Sequence, residues 1–368
     1  MRSAIAFAPA YTVQSASWLA GFFLAFPFAY PDVPYYWVAF SVFSLMFIFG
    51  RYQLSSKVLV LIILAMLSAL ISSYVGLSGY YIGERQIIGS VLFYSFFIFG
   101  SLIPDLQRFY KGLFAGVCTV AILVFLCFFF ERPYEAGLDM FSLPEYRLWG
   151  VRYFPDWPNF LAFMLALGFL IGMFIERRPG WAIFCLMAAF MTTSRTPLFA
   201  VAIFMIFTVL KMEWRTRLIF LASGVGLLAT LAIFLLPTID LSSEFFARMF
   251  LFSDRAEIYL TAVDLIKASP VLGSGAVLLD ESVGNFGAAS FHNTYLDILV
   301  RQGALGFLIF LALILPFGRN INKEYLWVVA PFVLYFLIPS LFQNFLKHPH
   351  ILMIYSALLI GIKRNEGA

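Results

Sequence analysis

Residues 58–75 read VLVLIILAMLSALISSYV, a run of 18 residues without a charged side chain. Such a run is typical of a helix that spans a lipid bilayer, which needs roughly 20 mostly apolar residues. Similar runs recur along the chain and predict about twelve spanning helices. The predicted spans cover residues 13–30, 36–50, 58–75, 87–103, 113–130, 158–175, 181–193, 198–210, 218–236, 304–317, 326–342 and 351–362.

The composition of the whole chain also indicates an all-α, polytopic membrane protein. Hydrophobic residues make up 62% of the 368 residues, and charged residues make up 12%. A soluble domain keeps a largely polar surface and cannot hide that much apolar area in one core. The net charge of +4 is too small to indicate a nucleic-acid partner. We therefore expect a single membrane domain over residues 1–368, and no cleaved signal peptide, because further spans follow the first at once.

Lysine and arginine residues predict the orientation, because short loops rich in them stay in the cytoplasm. The side that holds both termini carries 14 such residues, whereas the short opposite loops carry three, Arg85, Arg195 and Lys347. Both termini are therefore predicted to be cytoplasmic. The loop 131–157 and the larger loop 237–303 are predicted to face the periplasm of a bacterial inner membrane.

The outward side still holds ten basic residues, and eight of them are arginines. They are Arg85, Arg132, Arg147, Arg152, Arg195, Arg248, Arg255, Lys267, Arg301 and Lys347. The planar guanidinium pairs with phosphate or carboxylate through two parallel hydrogen bonds. The set indicates an anion site near the membrane surface. The alternative for each arginine is pairing with outward carboxylates such as Asp156, Glu244, Asp254 and Glu257.

Arg195 is the sharpest of these candidates. It lies in the turn Ser194-Arg195-Thr196-Pro197 between two apolar runs. A charge held near bilayer depth is costly and is usually functional. Simple anchoring at the interface is the alternative.

Residues 253–270 predict an amphipathic helix within the larger outer loop. Ser253 suits the N-cap position, and Pro270 marks the end. Its apolar stripe would lie along the membrane or the helix bundle and consists of Ile258, Tyr259, Ala262, Leu265 and Ile266. Arg255 lies at its start, where backbone N–H groups favour anions. Gly273-Ser274-Gly275 follows and is interpreted as a flexible turn, too weak a signal for a nucleotide loop.

His292 is the one outward histidine at a predicted helix start. Asn293 is predicted to cap a short helix that runs to Gln302. The positive end of the helix dipole favours the neutral imidazole that a general base needs, although a lone histidine is more often structural. The alternative base is Asp297 or a carboxylate in 237–290. His348 and His350 flank Pro349 in a short outer turn and are expected to be surface residues.

The three cysteines, Cys118, Cys127 and Cys185, all lie inside apolar runs. They are predicted to be small buried side chains, and their spacing suggests neither a disulfide framework nor a zinc site.

Four stretches, taken in order, resemble the bacterial O-antigen ligase and O-antigen polymerase superfamily. The most specific is His292-Asn293 followed after nine residues by Gly303-x-x-Gly306. The other three are Pro158-Asn159, Ser194-Arg195 and the stretch from Arg255 to Pro270-Val-Leu-Gly273. The resemblance covers roughly residues 155–315, and the first 130 residues match only as generic spans.

The resemblance implies an inverting, metal-independent glycosyltransferase of the membrane C type that needs no cofactor. Its donor would be a glycan on undecaprenyl diphosphate at the periplasmic face. In the family's chemistry His292 would activate the acceptor hydroxyl, and Arg195 and Arg255 would hold the diphosphate. Further candidates for substrate contact are Arg147, Arg152, Asn293 and Tyr295.

The acceptor is left open by the residues. A ligase transfers the glycan to lipid A–core, and a polymerase transfers it to another lipid-linked glycan; the spacing after His292 favours the ligase. A flippase for lipid-linked glycans is the more remote alternative. Transporters place ionisable residues and broken helices near the bilayer midplane, whereas the predicted spans are almost free of charge.

Overall fold

A computed structural model of the chain describes residues 10–26, 35–49, 56–75, 91–131, 158–192, 194, 196–213, 216, 256–275, 291–315 and 323–364. These residues form helices and short turns, and no β-strand occurs among them. The predicted all-α class is confirmed for this part of the chain.

The helices follow one another as expected for a chain of apolar spans. In chain order they are α1 (Ala10–Leu24), α2 (Tyr35–Phe49), α3 (Ser56–Val75), α4 (Phe99–Leu102), α5 (Leu106–Glu131), α6 (Pro158–Phe174), α7 (Pro179–Met191), α8 (Thr196–Lys211), α9 (Ala256–Ala268), α10 (Thr294–Ile314), α11 (Lys323–Leu337) and α12 (Pro349–Arg364). Short 3₁₀ turns occur at Tyr94–Ile98, Pro339–Leu341 and Phe345–Lys347.

Three helices within the described ranges are long and apolar enough to cross a membrane on their own: α3, the part of α5 at Leu106–Leu126, and α10. Shorter apolar helices coincide with most of the other predicted spans. The protein is therefore membrane-embedded, and the total of about twelve spans remains a prediction. The span predicted at 218–236 lies outside the described residues.

The short helix predicted to end at Gln302 and the span predicted at 304–317 follow each other as the two halves of one interrupted helix. The span predicted at 304–317 is only the second half of α10, which begins ten residues earlier at Thr294. Asp297 and Arg301 lower the hydropathy of the first half. They pair with each other inside the protein, Arg301 Nε to Asp297 Oδ2 at 3.1 Å, so these charges do not exclude the first half from a long buried helix.

Helix α6 lies at the centre of the bundle. Its residues 160–172 are buried on every side, as expected for a helix that is apolar all round. Helices α5, α7, α8 and α11 pack around it. Helix α3 differs, because it exposes an apolar row at Leu59, Ile63 and Leu67 that suits lipid and packs against α10.

Helix α10 is interrupted at Gly303, whose backbone has φ 63° and ψ −169°. Only glycine adopts this region readily. The interruption ends the short helix at Gln302, as the sequence predicts, and the second half then continues into the bundle. The first half of α10 therefore has its own direction and carries the residues around His292.

The interruption is filled by the segment that follows α9. The N–H groups of Ser274 and Gly275 donate to the carbonyls of Val300 and Arg301 at 2.8 and 2.9 Å. In return, the N–H groups of Ala304 and Leu305 donate to the carbonyls of Pro270 and Val271 at 2.9 and 3.2 Å. Residues 273–275 are buried. The interpretation of Gly273-Ser274-Gly275 as a flexible turn is wrong, because it forms a closely packed backbone contact.

Two of the cysteines meet in the core. The sulfur atoms of Cys118 on α5 and Cys185 on α7 lie 3.7 Å apart, and both residues are buried free thiols. The prediction of small buried side chains is confirmed for these two. The side chain of Cys127 lies outside the described set.

Candidate functional site

His292 lies at the start of α10 in an unusual backbone conformation. Its φ is +49°, in the left-handed region that costs a non-glycine residue roughly 1–2 kcal/mol. The next residue, Asn293, is extended, and its Oδ1 accepts hydrogen bonds from the N–H groups of Tyr295 and Leu296 at 3.0 Å each. The predicted helix cap is confirmed. Backbone strain of this kind is often found at functional sites.

The turn before α10 is held in place from the buried side. Phe291 is fully buried, and its N–H donates to Asp297 Oδ1 at 3.4 Å. The other carboxylate oxygen, Oδ2, accepts from Arg301 Nε at 3.1 Å. Asp297 is 0% exposed. Because both its oxygens are engaged and buried, Asp297 is poorly suited to the role of alternative base.

The imidazole of His292 is half-buried and faces a glutamine. His292 Nδ1 lies 3.4 Å from Oε1 of Gln343. The same glutamine accepts a second contact through its backbone, because Thr294 Oγ1 donates to the Gln343 carbonyl at 3.2 Å. Nearby, the hydroxyl of Tyr295 donates to the Leu337 carbonyl at 2.9 Å. The start of α10 is thus fastened to the chain between α11 and α12.

The Pro158-Asn159 and Ser194-Arg195 stretches also meet. Ser194 Oγ donates to Asn159 Oδ1 at 2.8 Å. Ser194 Oγ also lies 3.0 Å from Thr196 Oγ1 and accepts from the Thr196 N–H at 3.2 Å. The start of α6 is therefore joined to the turn between α7 and α8. Arg195 itself lies outside the described residues.

Residues 339–348, here named the connector, bring these stretches around one segment. Its Phe342 stacks on Phe199 of α8, with ring centroids 5.6 Å apart. Its His348 lies against Phe160 of α6, with ring centroids 4.0 Å apart. Its Gln343 faces His292, as described above. Three of the four stretches that carry the family resemblance therefore meet at one end of the bundle.

The fourth stretch leads to the same end through α9. Ile258, Ala262 and Leu265 of α9 form a buried apolar cluster with Phe291 and Val300 of α10. The predicted stripe therefore faces the bundle. The end of α9 contacts the middle of α10, and α9 packs along the first half of α10. The four predicted arginines lie outside the described residues: Arg147, Arg152, Arg195 and Arg255.

Of the basic residues predicted to face outward, two have described side chains, and both pair with carboxylates. Arg301 is 5% exposed and bound to Asp297. Lys267 is exposed and lies 3.3 Å from Asp264 one turn away. For these two residues, the alternative of pairing with a carboxylate is therefore correct, and they do not support the predicted anion site.

The expectation that His348 and His350 are surface residues is wrong for His350 and only partly right for His348. His350 is 1% exposed at the start of α12. His348 is half-buried, and its ring centroid lies 5.7 Å from that of His350. The connector folds inward because its Phe345 packs on the aromatic rings of α6.

Residues 180–311 match the family model described as O-antigen ligase. This segment, about a third of the chain, is similar to that family. The match includes Arg195, Arg255 and His292 and ends after the Gly303-x-x-Gly306 element, so the resemblance to the superfamily is confirmed there. No curated protein sequence matches the chain. The match and the apolar helices favour a membrane-embedded transferase of the O-antigen ligase and polymerase type.

The O-antigen ligase match stops short of two parts of the site. Pro158-Asn159 precedes residue 180, and Gln343 follows residue 311. Gln343 has no counterpart in the sequence predictions. The only signal for it is a polar pair, Gln343-Asn344, between two phenylalanines in an otherwise apolar stretch.

Proposed function

We propose that the protein transfers an O-antigen-type glycan from undecaprenyl diphosphate to an acceptor hydroxyl at the periplasmic face, and that the acceptor is lipid A–core. The observation that carries the proposal is the strained, capped turn of His292, which lies within the O-antigen ligase match. The turn meets the Asn159–Ser194 contact around a single connector.

In the proposed reaction, the acceptor oxygen attacks the anomeric carbon of the donor glycan. The new C–O bond forms as the bond to the lipid diphosphate breaks, which inverts the anomeric centre in one step. His292 takes the proton of the hydroxyl, and the lipid diphosphate leaves with the bonding electrons. A well-placed general base contributes typically 10²–10⁴-fold to such a step.

The leaving diphosphate gains negative charge, and preorganised guanidinium groups stabilise it in a site of low dielectric. We assign this role to Arg195 and Arg255 and propose Arg147 and Arg152 as further contacts to the donor. Ser194 and Thr196, on either side of Arg195, are hydrogen-bonded to each other, and Ser194 also donates to Asn159. These hydrogen bonds hold the residues on both sides of Arg195 in place, which supports the proposal that Arg195 is preorganised.

A polymerase would use the same chemistry with a second lipid-linked glycan as acceptor. Purified protein given one lipid-linked donor together with both acceptors separates the two activities. Product on lipid A–core supports the ligase, and product only on the lipid-linked acceptor supports the polymerase.

A flippase is disfavoured by the interruption of α10. A transporter uses the backbone groups freed at a broken helix to bind its cargo. In α10 the carbonyls of Val300 and Arg301 accept hydrogen bonds from Ser274 and Gly275. The backbone groups at the break are thus already bound within the protein, and this favours an enzyme over a carrier.

Arg195→Ala and Arg255→Ala are each expected to lower transfer by about 10²–10³-fold, because each removes a donor to the leaving group. Protein level and membrane insertion should stay near wild type. Lysine keeps the charge but loses the planar fork, so Arg→Lys should restore only part of the rate. The measurement is transfer in vitro, normalised to inserted protein.

Lys267→Ala is the matched control, because Lys267 is an exposed outward cation paired with Asp264. It should transfer near the wild-type rate. Full activity in both alanine variants would remove the two arginines from the site. Full activity in both lysine variants would mean that Arg195 and Arg255 contribute only a positive charge and that the planar guanidinium is not needed.

The orientation gives a separate prediction. The side of the termini carries 14 basic residues, and the short opposite loops carry three. After residue 368, a fused reporter that works only in the cytoplasm should therefore be active, and one that works only in the periplasm should be inactive. As the control, a reporter that works only in the periplasm should be active when it is inserted in 131–157. Periplasmic activity at the C-terminus would place the His292 end in the cytoplasm and remove the proposed donor.

A further inference from the structure

The contact between His292 and Gln343 joins residues 51 positions apart in the chain. Gln343 makes it with its side chain, whereas its backbone carbonyl separately accepts the hydroxyl of Thr294 at 3.2 Å. The backbone contact already docks the start of α10 on the connector. The side-chain contact is therefore not needed for docking, and its effect is on the imidazole of His292.

An imidazole can act as a base only through a nitrogen that carries a lone pair. In the neutral ring one nitrogen bears the proton and the other does not, and the hydrogen bond made by one nitrogen selects the tautomer. An acceptor facing Nδ1 favours the proton on Nδ1. The lone pair then lies on Nε2, on the opposite side of the ring.

We propose that Gln343 is the positioning residue for the base His292: its Oε1 accepts the Nδ1–H, so that Nε2 is held ready to take the acceptor proton. This inference rests on the proposed function of His292 as the base. Gln343 touches neither the donor nor the acceptor in this scheme, and it acts through the ring.

The amide suits this role better than a carboxylate would. A carboxylate beside the ring stabilises the charged imidazolium and raises its pKa. A neutral amide accepts the same hydrogen bond without that attraction, and the positive end of α10 further favours the neutral ring. An amide at position 343 therefore suits a ring that acts as a neutral base.

The other titratable groups nearby are accounted for in the test. On the described elements around His292 these groups include Asp297, Arg301 and Tyr295 on α10, Tyr259, Asp264 and Lys267 on α9, Lys347 and His348 in the connector, and His350 and Tyr355 on α12. The variants below leave all of them in place, so a change in the pH dependence between variants belongs to position 343.

The experiment measures kcat and KM for transfer between pH 5 and 9 in Gln343→Leu and Gln343→Glu. The leucine variant loses the acceptor, and we expect kcat to fall about 10–100-fold with little change in KM, the range typical of partners that orient metal-bound histidines. The glutamate variant is nearly isosteric. It should raise the pKa of His292, so the acidic limb of the rate profile should move to higher pH by about one unit.

Gln107→Glu is the control for the substitution itself, because Gln107 is an exposed glutamine on α5. Its acidic limb should stay at the wild-type pH. A wild-type limb in Gln343→Glu, together with wild-type kcat in Gln343→Leu, would overturn the positioning role. If the leucine variant inserts poorly, the isosteric glutamate variant decides the question alone.

His292→Ala, measured in parallel, separates the two proposals. If it is inactive and the Gln343 variants behave as wild type, only the positioning role fails. If His292→Ala transfers at the wild-type rate, the proposed base fails, and the role of Gln343 fails with it.

Discussion

Replacing His292 with alanine is expected to lower glycan transfer by about 10²–10⁴-fold, while binding of the lipid-diphosphate donor persists. The alanine removes the proton acceptor for the attacking hydroxyl but leaves the arginines proposed to hold the diphosphate. The backbone should keep its turn, because Phe291 is buried on one side and Asn293 caps α10 on the other. Transfer and donor binding are measured on the same purified protein with a labelled lipid-linked glycan.

His348→Phe is the matched control. His348 lies at the same end of the bundle, and its ring packs against Phe160. Phenylalanine keeps an aromatic ring there and removes only the imidazole chemistry, so most of the transfer activity should remain. Wild-type transfer in His292→Ala would show that the base is wrong and direct the search to carboxylates in 237–290. Loss of donor binding as well would make His292 a donor contact or a structural residue.

The sequence predicts the features of this fold that depend on local patterns. Apolar runs mark most of the helices, and the apolar stripe of α9 marks the face that packs against α10. Asn293 is recognisable as a cap because Asn accepts from the N–H groups of the first helical turn. The end of the short helix at Gln302 is also correct, because Gly303 follows it and adopts a backbone that only glycine favours.

The features that the sequence does not predict depend on contacts between distant residues. His350 follows a proline in a short polar stretch, which suggests a surface, but the aromatic rings of α6 draw the connector inward. Gly273-Ser274-Gly275 has the composition of a flexible turn, yet its partner is the backbone of α10. The pairing of His292 with Gln343 depends on how α10 docks, and spacing along the chain carries no information about it.

Gly303→Ala is expected to damage folding severely. A side chain at φ 63°, ψ −169° costs on the order of 1–3 kcal/mol in backbone strain alone. The added Cβ would also overlap the Val271 carbonyl, which is backbone and has no free rotation to move away. Gly273→Ala meets the reciprocal obstacle, because its Cβ would overlap the N–H of Gly303 and the carbonyl group of Arg301. Both variants should lose most of the monodisperse protein in detergent and unfold at lower temperature.

Gly180→Ala is the control, because an added Cβ in this first turn of α7 would meet no described atom within 4 Å beyond its chain neighbours and its own helix backbone. Alanine is the better helix former by about 0.5–1 kcal/mol, so this variant should be as stable as wild type or slightly more so. Comparison of the three thermal unfolding curves tests the packed interruption directly. Wild-type stability in both Gly303→Ala and Gly273→Ala would mean that residues 269–275 do not fill the break in α10. The first half of α10 would then lack its support, and the fixed geometry at His292 would need another source.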